Sequence, residues 1–96
     1  SGPAVSEVGE KIALPVFKQY RDSDGQYYFK LNDGAGVLLL QSKGFASPRD
    51  AGHLLARLKQ AVQASDVQLP GVYAHVDASI ILAAMRALRE ACRPSP

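Results

Sequence analysis

The sequence predicts an α+β fold: a three-stranded antiparallel meander followed by a packed helix, then a candidate fourth strand and a second C-terminal helix. Three observations carry that prediction. From Gln26 to Ser42, apolar and polar residues alternate with a period of two around a glycine-bearing turn. Ser47-Pro48-Arg49-Asp50 carries helix-start chemistry, and the apolar residues after it recur at helical spacing. Ninety-six residues, nearly half of them apolar, are enough for one core and not for two.

Ser1 to Lys11 mixes small, acidic and glycine residues without periodicity and reads as a tag remnant and linker. Ser1-Gly2-Pro3 with no initiator methionine reads as the cut end of something longer. The domain proper is expected over 12–93, with 94–96 a disordered tail. The first strand is expected over Ile12 to Arg21, with Pro15 confined to its start or to an edge because it lacks an N–H. Val16, Lys18 and Tyr20 share one face, and Phe17, Gln19 and Arg21 share the other. Neither set is cleanly apolar, so the pattern does not choose the face turned to the helix. Asp22-Ser23-Asp24-Gly25 is a turn, with glycine where positive φ is needed.

The second strand is expected over Gln26 to Asn32. Tyr27, Phe29 and Leu31 are its core side, alternating with Tyr28 and Lys30. A loop from Asn32 to Gly36 leads to a third strand, Val37 to Ser42, in which Val37, Leu39 and Gln41 oppose Leu38 and Leu40. Its apolar run predicts a central strand or one covered on both faces.

Ser47 is the expected N-cap, Pro48 suits the first helical position, and Asp50 stands where it can bond back to the cap. Ala51, Leu54, Leu55, Leu58 and Val62 form the buried stripe of a helix ending near Ala64. Pro70-Gly71 marks a turn, and Val72 to Val76 is the candidate fourth strand. Asp77 caps a second helix over Ala78 to Arg93, with Ile81, Ala84, Met85, Leu88 and Cys92 on its apolar face.

Composition excludes several classes. One cysteine, Cys92, permits no internal disulfide and no cysteine-rich metal site, and it suits a reducing compartment. No apolar run reaches the length of a membrane span, so no membrane partner is expected and the placement is cytoplasmic. The formal charge is +2. Beyond the first ten residues, which hold Glu7 and Glu10 and no base, eleven bases face seven acids. That balance permits contact with nucleic acid without demanding it.

His53 and His75 have no metal-ligand spacing, so no metal site is expected. His53 reads as a solvated helix residue. His75 reads as a partly buried strand residue near Asp77. Cys92 has arginines nearby but no following histidine as base, and it reads as a helix-face cysteine in or near the core. Gly34-Ala35-Gly36 lacks the lysine and helix of a phosphate loop and reads as a hairpin turn. No catalytic residue is expected. The most suggestive set is aromatic and basic: Tyr20, Tyr27, Tyr28 and Phe29 beside Lys18, Arg21 and Lys30. Such a face can stack bases and bind phosphates, although some of these rings must also fill the core. Arg86, Arg89 and Arg93 form a second basic stripe, spaced to follow a phosphate backbone or to face solvent. Candidate RNA-binding residues are therefore Lys18, Arg21, Tyr28, Lys30, Arg86, Arg89 and Arg93.

Val16-Phe17-Lys18-Gln19-Tyr20-Arg21-Asp22, Gly25-Gln26-Tyr27-Tyr28-Phe29-Lys30-Leu31, Leu39-Leu40-Gln41-Ser42-Lys43-Gly44-Phe45 and the Ser47-capped helix resemble the YegP-like module. The wording around Gly44 to Gly52 is more similar still to the module appended to the C-terminus of some proteobacterial tryptophanyl-tRNA synthetases. The resemblance covers roughly half the chain. It implies a non-catalytic accessory domain that assists tRNA binding. Partners would be tRNA and the catalytic body of the parent chain, which would use ATP and magnesium; this fragment itself would hold no cofactor. The alternative implied by the broader family is a protein-interaction module that forms a homodimer through its sheet edge. Ser65 to Pro96 fall outside the resemblance.

Overall fold

The computed structural model describes residues 13–92. The expected linker, the tail at 94–96 and the strand start at Ile12 lie outside them. The chain runs β1 (Val16–Arg21), β2 (Tyr27–Asn32), β3 (Leu38–Ser42), α1 (Pro48–Leu58), a 3₁₀ turn (Ala64–Val67), β4 (Val72–Ala74) and α2 (Ala78–Ala91). The four strands form one antiparallel sheet in the order β1-β2-β3-β4. The predicted α+β meander with its following helices is present, and β3 is central as its apolar run required.

The two hairpins are built by one device, Asp-x-x-Gly. In the first, Gly25 N–H donates to Asp22 C=O (2.9 Å) and Asp22 N–H to Gln26 C=O (3.0 Å). The second repeats this with Gly36 to Asp33 (3.0 Å) and Asp33 to Val37 (2.8 Å). Gly25 (φ 82°) and Gly36 (φ 91°) both take the left-handed conformation that closes such a loop. These loops set register and therefore the face of every side chain.

Register resolves β1. Phe17 stands opposite Leu31, Gln19 opposite Phe29 and Arg21 opposite Tyr27. The core face is thus Phe17, Tyr27, Phe29 and Leu31, extended by Leu40 opposite Leu31. The expected strict alternation along β3 fails at one place. A bulge at Leu31/Asn32 puts one extra β3 residue into the pairing, and Leu39 and Leu40 are both buried. Ser42, also buried, accepts the Phe29 N–H (2.9 Å) and donates to Lys43 C=O (2.8 Å), so its hydroxyl is fully used.

Helix α1 starts at the expected cap: the Ser47 hydroxyl accepts the Asp50 N–H (3.2 Å), with Pro48 at the first position, while the Asp50 carboxylate makes no bond back to Ser47. It stops at Leu58, six residues short of the expected Ala64. The last turn tightens through Gln60 N–H to Arg57 C=O and Ala61 N–H to Leu58 C=O. The Asp66 carboxylate then takes the N–H groups of Val62 (3.0 Å) and Gln63 (3.1 Å), which a continuing helix would have needed. The stripe is corrected accordingly: Ala51, Leu55 and Leu58 are buried, but Val62 is 74% exposed. Ala61 and Val67 fill the core instead.

Helix α2 begins after Asp77, whose backbone C=O accepts from Ile80 and Ile81 while its side chain makes no cap bond. Ile81, Ala84 and Met85 join the same core as α1, so both helices cover one face of the sheet. Cys92, the C-cap of this helix, is exposed rather than in the core.

Candidate nucleic-acid interface

With both helices on the Phe29 face, no described element covers the other. Pairing assembles on that open face a row across all four strands. Lys18 lies opposite Lys30, Lys30 opposite Gln41 and Gln41 opposite Tyr73. Lys18 and Tyr73 are exposed, while Lys30 and Gln41 are half-buried among their neighbours. Two like charges directly opposite on a sheet oppose folding. Nothing in the packing of the core requires them there.

Beside the row, Tyr20 and Tyr28 stack across β1 and β2, with ring centroids 5.5 Å apart and planes 15° apart. The Lys30 ammonium lies 5.2 Å from the Tyr20 ring centre, within cation–π range. The Tyr28 hydroxyl donates to the Asp24 carboxylate at the hairpin tip. That bond, which only the neutral phenol can donate, pushes the Tyr28 pKa up to about 12 and holds Asp24 below the usual carboxylate range. Partial burial, then Asp22 and Asp24, raise the Tyr20 phenol as well. The two rings are therefore neutral and stacked on each other, with Lys30 over Tyr20. The arrangement offers phosphate two ammoniums, an amide and the Tyr73 phenol, rather than free aromatic faces for bases.

The sequence-based candidates divide between surfaces. Lys18, Tyr28 and Lys30 come together. Arg21 belongs to the helix side: its guanidinium lies 5.5 Å from the Tyr27 ring centre and donates to Gly25 C=O (3.3 Å). Arg86 and Arg89 lie on α2, away from the open face, and Arg89 donates to Ala61 C=O (3.3 Å). Arg93 lies outside the described residues. Tyr27 and Phe29 serve the core. Sequence reasoning missed Gln41 and Tyr73, whose place in the row follows only from the β3–β4 pairing. His53 is exposed on α1. His75 is exposed too, not partly buried as expected, because β4 ends at Ala74 and only the His75 N–H reaches back, to Leu39 C=O (2.8 Å). Among the described residues, no three His, Cys, Asp or Glu side chains gather to hold a metal. No helix among them is long and apolar enough to cross a membrane.

The chain is similar to a segment of proteins named tryptophan–tRNA ligase. It is 77% identical to the one from Xanthomonas axonopodis pv. citri over 88 residues, which is 92% of this chain and 20% of that protein. Identity to the Xylella fastidiosa strain 9a5c protein is 56% over the same shares. A more distant relative, from Pseudomonas putida, is 36% identical over 72% of this chain and 15% of its own length. The chain thus spans about a fifth of the length of the curated relatives it matches. No family model and no solved structure matches it.

Proposed function

We propose that this chain is an accessory domain at the C-terminus of a cytoplasmic tryptophan–tRNA ligase and that it assists tRNA binding through its open sheet face. High identity to one segment of much longer ligases supports the parent. The observation that carries the tRNA contact is the Lys18–Lys30–Gln41–Tyr73 row, which sets two opposed ammoniums on an uncovered face. Lys18 and Lys30 hold the phosphate backbone; Gln41 and Tyr73 add neutral donors; the Tyr20–Tyr28 stack keeps Lys30 in place. In this reading ATP and magnesium are used by the catalytic body of the parent, which the longer relatives stand for. Gly34 to Gly36 is a hairpin turn closed on Asp33.

The test is a titration of labelled tRNA with the wild-type chain and with Lys18→Glu/Lys30→Glu, each at two salt concentrations. Phosphate contacts weaken as salt rises, and each lost lysine lowers the salt slope by about 1. Equal affinity and equal slope in the double variant would remove the contact. The parent is tested separately by reading its gene: an adjoining sequence without the ATP-binding loops of a class I synthetase rules it out. A second reading, pairing of two copies through a sheet edge, is favoured by the six-residue outer edge of β1; the opposite edge strand has only three residues. Sedimentation over a concentration series decides it.

A further inference from the structure

A groove lies between the start of β1 and the last turns of α2. Its floor is apolar, made by Phe17, Met85 and Leu88, and Val16 on its wall leaves 42% of its surface exposed. Two cations stand at its rim. The Lys59 ammonium lies 5.4 Å from the Phe17 ring centre, and Arg89 spends one donor on Ala61 C=O. An apolar floor with a cationic rim matches an apolar side chain flanked by carboxylates.

We propose that this groove is where the domain docks on the rest of its parent polypeptide, through an acidic segment that inserts an apolar side chain. The inference rests on the reading of the chain as a domain of a longer ligase. Two observations single out that occupant. The relatives are about five times as long as the matched segment, so the bulk of such a protein is tethered to this domain. The groove reaches Pro15, just before the first strand, which is the side on which a C-terminal placement joins the domain to its parent. Tethering raises the effective concentration to about the millimolar range, so a contact with a dissociation constant of ~0.1 mM is occupied roughly ten to one.

Cys92 at the mouth of the groove is a built-in probe. Maleimide labelling, read by peptide mass spectrometry, is compared in the full-length parent and in the 96-residue chain. The expected result is labelling about tenfold slower in the parent, in line with that occupancy. Lys59→Glu/Arg89→Glu in the parent returns the rate to that of the isolated chain, and added salt moves it the same way. Equal rates in the two proteins overturn the proposal. So does protection that survives the double charge reversal. Labelling of the isolated chain that slows with its own concentration makes a second copy the occupant. Labelling that speeds up when residues 1–10 are removed makes the chain's own Glu7/Glu10 segment the occupant. Either result overturns the proposal too. A parent gene without synthetase loops defeats the ligase reading alone, since the Cys92 comparison stands for any parent.

Discussion

Replacing Lys18 by Glu should make the domain more stable while weakening its hold on tRNA. Lys18 and Lys30 are directly opposed on adjacent antiparallel strands. A like-charge pair there is unfavourable and an opposite-charge pair favourable, each by about 0.2–1 kcal/mol. Two features place the gain low in that range. Lys18 is exposed, so solvent screens it, and the Lys30 ammonium already leans on the Tyr20 ring, 5.2 Å from its centre. A net gain of ~0.5 kcal/mol corresponds to a melting temperature about 2–4 °C higher for a domain of this size. The assay is thermal unfolding by circular dichroism at low and high salt, because the gain must shrink as salt screens the pair. Glu retains strand-compatible length, so a variant that melts lower than wild type would refute the reasoning. So would a gain indifferent to salt. Together with weaker tRNA binding, the predicted result would show that the lysine pair is kept at the expense of stability.

Three further outcomes follow from the packing and the hydrogen bonds. Leu58→Ala, at a fully buried site, should lose about 2–5 kcal/mol in urea unfolding, whereas Val62→Ala should stay within about 0.5 kcal/mol because that side chain lies in solvent. Absorbance titration should find one tyrosine ionising near the Tyr28 value of about 12, and Asp24→Asn should bring it back towards 10.0; since the folded pKa is raised, the contribution is complete below pH 10 and is lost as pH climbs through about 12. Asp66 is held below 3.8 by the Val62 and Gln63 N–H groups, so its stabilisation is present above that value and lost as pH falls through the lowered pKa; Asp66→Asn should flatten the acid limb of the stability curve.

The fold was readable where one local rule decides. Period-two alternation in β2, the Ser47-Pro48 helix start and the Asp-x-x-Gly turns each have a single dominant physical cause. The reading went astray where a distant or later residue intervenes. Nothing within Leu58 to Ala64 breaks a helix; Asp66, further along the chain, captures the N–H groups that the next turn required. The bulge that buries Leu39 beside Leu40 is likewise a property of two strands and not of one.

The candidate interface was legible in its ingredients and not in its arrangement. Lys18, Tyr28 and Lys30 could be chosen from aromatic and basic composition, but so could Arg21, which register sends to the helix side opposite Tyr27. On β1 the two alternating sets are equally mixed, and only the pairing of Phe17 with Leu31 settles which of them is covered. Once that face is fixed, Gln41 and Tyr73 join the row by geometry alone, although nothing in their local sequence marks them. The same step gives the lysine pair its meaning. Lys18 and Lys30 are twelve residues apart along the chain and read there as ordinary solvated charges; opposed across the ladder, they repel. An anion laid over both would turn that repulsion into attraction, so binding should stabilise the sheet most where the free domain is weakest.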